Sequence, residues 1–266
     1  MKAQTWTQIA PHDPQPRTGD SKVTERIAEA SPRRLARIAG GLYLLNIVAG
    51  FFAIGLVPAK LVVPGDVVAT VHNIQTHELL YRLGLTAHLI PIVSNVVLAV
   101  IFYDLFKVVS RRLALLVVFF TLVGTVVECA NLLNQFVPLI LLNGHYSPAL
   151  TTEQLQALAY MPLDLQAIGY DIQQVIYAFY LVVAGYLVFK STFISRAIGV
   201  LLAIGGLSYL TYSFASFLAP EFAAHLVPYI QLPSLIAELS LCLWLLVMGV
   251  DVQRWNEQAV AAGTHT

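Results

Sequence analysis

The chain of 266 residues is 58% hydrophobic and 11% charged, with fifteen basic and fifteen acidic side chains balancing to zero net charge. A soluble domain carries about 25% charged residues, so this composition excludes a surface coated by water, and the missing positive excess excludes the electrostatic footprint of a nucleic-acid binder. The two cysteines, Cys129 and Cys242, lie inside apolar runs and make neither a CxxC pair nor a disulfide framework.

Residues 1–33 read as a polar, basic, largely disordered cytoplasmic tail containing Pro11, Pro14, Pro16 and Pro32. No apolar run follows the first Met closely enough for a cleavable signal peptide, so the first apolar run is expected to be retained. Six runs are long enough to cross about 30 Å of hydrocarbon at about 1.5 Å per residue. They lie near 35–57, 79–105, 113–137, 166–189, 197–218 and 228–250, within a transmembrane domain over 34–251. Residues 252–266 form a second cytoplasmic tail. The fold class is therefore all-α: a polytopic membrane protein whose six transmembrane helices form three antiparallel hairpins.

Charge orients these spans. Thirteen Lys and Arg fall before span one, between spans two and three, between four and five, and after six, against Lys60 and Arg82 on the other side. The positive-inside rule then puts both termini in the cytoplasm, and the expected location is a bacterial cytoplasmic membrane. The cytoplasmic turns, 107–112 and 190–196, are tight. The outer loops are longer. In 57–78, Asp66 is placed to cap a short helix over 67–75. In 143–165, an Asn143-Gly144 turn and Ser147-Pro148 precede a short helix that starts at Thr151 or Thr152, runs through Tyr160 and ends at Pro162. Spans one, three and five each open with a basic residue and an apolar run containing glycine, a repeat of about 80 residues that suggests three parallel-oriented hairpins rather than an inverted repeat.

From Arg34 onward the chain resembles a bacterial family catalogued as domain of unknown function 4386. The resemblance is carried, in order, by RLARIAGGLYLLNIVAGFFA at span one, LVVPGD (61–66), HELLYRLG (77–84), RRLAL, ECANLLNQ, GYLVFKS and AELSLCLWLLVMGV in the last span. It covers about 34–250 and implies a six-span inner-membrane protein with no activity attached. Members often carry His where this chain has Gln166 and Asp where it has Tyr212, so chemistry resting on those two side chains is not carried over.

The costliest stretch is 121–135 in span three, where Thr121, Gly124, Thr125, Glu128, Asn131 and Gln135 share one helical stripe. A carboxylate and two amides on a spanning helix are expensive unless they face protein or water. Counting from each helix's cytoplasmic basic residue puts Glu128, Gln174, Tyr212 and Glu238 roughly 24 Å deep, and His88 and Asp171 roughly 28 Å deep. Tyr209 shares the stripe of Tyr212, Tyr170 and Tyr177 that of Gln174, and Asn95 lies seven residues from His88. One polar layer in the outer half, drawn from five helices, is what an outward-opening pocket requires. The expected ligand-binding residues are Glu128, Asn131, Gln135, Asp171, Gln174, Tyr209, Tyr212, Glu238 and His88. Glu128, Glu238 and Asp171 are the candidates for any catalysis.

There is no Walker loop, GxGxxG, GxSxG or HExxH, and neither a metal nor a cofactor is expected. Three readings follow. The first is a non-enzymatic membrane protein that binds or moves a small amphipathic molecule or a proton. The second is a membrane-embedded enzyme of the isoprenoid cyclase or isomerase type, with Glu128 or Glu238 as general acid. The third is a structural or regulatory subunit whose polar seam only packs helices. The expected partners are the lipid bilayer, a lipid- or isoprenoid-like molecule and, in a homo-oligomer, further copies of the chain.

Overall fold

The structure, a computed structural model, describes residues 31–143 and 149–263. The tail expected over 1–33 falls, up to residue 30, outside the described residues, as do Gly144, Ser147 and Pro148 of the second outer loop. All regular structure among the described residues is helical.

Helix α1 spans Pro32–Leu61, with a π-helical turn at Phe51–Leu56. It is followed by α2 (Val67–Thr76), α3 (Glu78–Phe106), α4 (Arg111–Leu142), α5 (Thr152–Lys190), α6 (Arg196–Leu218), α7 (Pro220–Leu226), α8 (Leu232–Val247) and α9 (Val252–Ala261). Six of these, α1, α3, α4, α5, α6 and α8 with its leading turn, are long and apolar enough to cross a membrane. The chain is a multi-pass membrane protein. Its outward faces carry apolar side chains such as Val93, Phe119, Val126, Leu133 and Leu207, all exposed, which in a bilayer face lipid.

Helix starts follow local chemistry. The Asp66 carboxylate accepts from the Ala69 amide at 2.9 Å and starts α2. The Ser110 hydroxyl accepts from Leu113 and starts α4. Thr151 and Gln154 form a reciprocal capping box at the head of α5. From there α5 runs unbroken through Pro162 to Lys190, where the sequence suggested a short helix, a stop and a new span. A proline forfeits one N–H and crowds the carbonyl four residues back, but tertiary packing holds this extension in line. Leu163 packs in a satellite core with Leu61, Ile74, Tyr81 and Leu85. Helix α7, between α6 and α8, has no counterpart in the sequence reading.

The spans form a closed ring in chain order: α1 on α3, α3 on α4, α4 on α5, α5 on α6, α6 on α8, and α8 back on α1. At the end that carries most Lys and Arg, here the basic end, the ring is tightly closed by small residues. A Cβ on Gly40 would stand 2.5 Å from the Leu246 backbone nitrogen, and one on Gly199 2.6 Å from the Gly185 carbonyl oxygen. Backbones that approach so closely gain dispersion contacts, the main attraction available between helices in lipid. The principal core, including Leu105, Leu181, Leu187, Leu202, Leu241 and Leu245, fills this half.

Helix α8 ends at Val247, and Gly249, at φ +68°, turns the chain into α9. Helix α9 lies across the basic end. Its Trp255 is buried, with Nε1 donating to the Leu105 carbonyl at 3.0 Å, and Gln258 bonds Thr192. Arg33 and Arg37 donate to the carbonyls of Val250 and Val247, both at 3.4 Å, where the negative end of α8 favours cations.

Candidate functional site

The π turn of α1 and the first turns of α8 mark the other half of the ring, which is built differently. Just beyond the closed half, Glu238 of α8 collects hydroxyls from three other helices. Its Oε2 accepts from Tyr43 of α1 and Tyr177 of α5, each at 2.9 Å, and its Oε1 from Tyr209 of α6 at 3.3 Å. The Tyr43 and Tyr177 oxygens are 3.3 Å apart. Three converging O–H donors suit a carboxylate acting purely as acceptor. Periodicity explains the convergence: Tyr43 lies one α-helical turn past Gly40, whose lack of side chain brings α1 and α8 together, so the ring of Tyr43 is buried against the partner helix.

A second acid faces the same space. Glu128 of α4 is buried, and its Oε1 stands 2.9 Å from Nε2 of the equally buried His88 of α3. One polar network therefore joins α3 to α4, and another joins α1 to α3. In the latter, the Asn46 amide donates to the Asn95 side-chain oxygen at 2.8 Å, and the Ser94 hydroxyl donates to Asn46.

Between these groups lies a cavity of about 590 Å³ reached by all six spans, within the range of small-molecule sites, about 300–1,000 Å³. Its polar lining includes Glu128, Glu238, Asn46, Asn95, Gln173 and Gln174, and its aromatic lining Tyr43, Tyr170, Tyr177 and Tyr209. Gln174 is only 2% exposed, yet neither atom of its carboxamide has a well-formed hydrogen bond to protein. A buried amide without partners is costly, and here it borders a space large enough for a ligand. Between α1 and α8 the walls are largely apolar, with Gln231 as the polar exception. The π turn of α1 (Phe51, Ile54, Gly55) forms one side and Leu232 and Leu235 the other. Phe51, Leu232 and Leu235 are all well exposed.

Of the nine residues singled out from sequence, Glu128, Gln174, Tyr209 and Glu238 line this cavity. His88 stands behind Glu128 as its partner. The other four are placed elsewhere. Asn131 donates to the Gln166 backbone oxygen at 2.9 Å and packs under Gly169, so it ties α4 to α5. Gln135 lines a separate void of about 30 Å³ beside Val57, Tyr81 and Leu163. Asp171 accepts from the Ser216 hydroxyl at 2.5 Å, linking α5 to α6. Tyr212, one turn from Ser216 on α6, is half-buried and does not reach the cavity. Among the described residues no group of three or more His, Cys, Asp and Glu side chains comes together as a metal ligand set.

The depth count erred at Glu238. It used Arg254 as the anchor, but α8 ends at Val247, nine residues on, so Glu238 lies about 14 Å from that helix end, nearer mid-membrane than Gln174. Tyr43 and Asn46 were not foreseen. The signal was available, since Tyr43, Asn46 and Gly50 follow i, i+3, i+7 on an otherwise apolar helix. They carry no charge, and one phenol and one amide on a span are ordinary packing groups between helices.

No curated protein matches this chain, and no solved structure does. A family model does match, over residues 38–249, which takes in all six spans apart from the first turn of α1. On this ground the chain belongs to the family described as Domain of unknown function (DUF4386).

Proposed function

We propose that this protein binds a small amphipathic, lipid-like molecule in the cavity bounded by its six spans. The observation that carries the reading is the juxtaposition of Glu238 with its three tyrosine hydroxyls, the buried Gln174 amide and an apolar wall of exposed Phe51, Leu232 and Leu235 around one space of about 590 Å³. A seam that only packed helices would close on its polar groups, as Asn131 does on Gln166. Polar side chains and an apolar wall from α1 and α8 border the same space. That combination matches a molecule with a head and a tail.

The clustering of thirteen of fifteen basic residues on one side supports cytoplasmic termini and a bacterial inner-membrane location, with the cavity extending toward the outer leaflet.

Native mass spectrometry with lipidomics on the purified protein tests the reading. A discrete amphiphile at one per chain, depleted in a folded Glu238→Gln variant, is the expected result. The same heterogeneous lipid adducts on both proteins would refute it.

A further inference from the structure

The charge of the cavity and the shape of its open side narrow the ligand further, on the premise that the cavity is a binding site. We propose that the occupant carries a cationic ammonium head that seats against Glu238, and that it enters sideways from the lipid between the π turn of α1 and the first turns of α8.

The head-group inference rests on what faces the cavity. Two carboxylates line it and, among the described residues, no Lys or Arg does. Glu128 already has an imidazole partner in His88 at 2.9 Å, whereas Glu238 has phenol donors and no cation. An acid held within a membrane bundle is kept at substantial cost, and a cation brought alongside it offsets that cost. An anionic head would add a like charge to the same low-dielectric space. The surroundings suit a cation in a second way. Tyr43, Tyr170, Tyr177 and Tyr209 all border the space, with the rings of Tyr177 and Tyr209 6.0 Å apart and inclined at 54°. Aromatic rings bordering the space attract an ammonium through the quadrupole of any open face; the face of Tyr177 toward Tyr180 is covered.

The route rests on how α1 and α8 part. Their closest approaches lie toward the basic end: Gly40 against Leu246, the Cys242 thiol on the Gly40 carbonyl at 3.5 Å, and Tyr43 on Glu238. Beyond Glu238, α1 passes into its π turn, and the facing residues of α8 are Leu232 and Leu235. A π turn inserts an extra residue per turn and redirects the helix locally. Phe51 on one side is 64% exposed and Leu235 on the other 47%, so both lips face the hydrocarbon. A single alkyl tail fits that slot with its end left in the bilayer, while its head reaches Glu238 from the side.

Three probes of one chain length separate the possibilities: decyltrimethylammonium, decanol and decanoate, added to the protein in a neutral maltoside detergent. One-to-one adducts are followed by native mass spectrometry, and stabilisation by thermal melting. The proposal predicts saturable one-to-one binding of decyltrimethylammonium at least tenfold tighter than either other probe. It also predicts at least a tenfold loss in Glu238→Gln. Equal binding of all three probes, unaffected by Glu238→Gln, would overturn the cationic head while leaving the amphiphile cavity intact. Failure of every probe to bind one-to-one would overturn both. If Glu238→Gln does not fold, selectivity among the probes on the unmodified protein still decides.

Discussion

The two halves of the helix ring are built to opposite rules. At the basic end, glycines bring backbones into contact, the core is solid, and the Trp255 indole bonds the Leu105 carbonyl. At the other end, Gly50 on the cavity wall faces open space: a Cβ there would meet nothing within 4 Å, against 2.6 Å at Gly199. There α1 is π-wound beside a cavity. In a membrane, where burial of apolar surface drives little association, close packing is what holds helices together. One half supplies it, and so the other half can remain open.

Glycine substitutions are the sharpest way to break this contrast. Gly199→Leu is expected to abolish monodisperse protein on size exclusion, and Gly199→Ala to cost about 1–3 kcal/mol by overpacking. Gly50→Ala, in the open half, should fold unchanged or gain up to about 1 kcal/mol of helix propensity. Equal damage at both positions would erase the distinction. Next in size, Glu238→Gln should weaken binding of decyltrimethylammonium at least tenfold, about 1.4 kcal/mol, with little change in melting temperature. Trp255→Phe removes one buried hydrogen bond at the closed end and should cost about 1 kcal/mol of stability with ligand affinity unchanged. The smallest effect is expected for Asn131→Ala, about 0.6 kcal/mol of helix–helix association, again without effect on binding, because Asn131 is engaged with the Gln166 carbonyl.

The same contrast explains what the sequence could disclose. Spans are legible because a run of about 20 apolar residues has few other fates, and the tight turns at 107–110 and 191–195 are framed by basic residues. The continuity of α5 through Pro162 was not legible. Local rules stop a helix there, and the packing of Leu163 against α1, α2 and α3 overrides them. In the cavity, Glu128 and Glu238 announced themselves as acids in hydrocarbon. Tyr43 and Asn46 did not, being neutral and few. Asn131 sits on the same stripe as Glu128, yet it meets the α5 backbone at Gln166 instead of the cavity. Which neighbour a side chain meets depends on the other helices, and one helix's periodicity does not specify it.

Hydrogen–deuterium exchange of the purified protein, with and without decyltrimethylammonium, tests the division of labour most directly. Closely packed helices open rarely, and loosely packed ones open often. Ligand-dependent protection confined to residues 50–56 and 228–238, with no change over 180–206, is the predicted result. Protection spread evenly over the ring, or concentrated at the basic end, would contradict it.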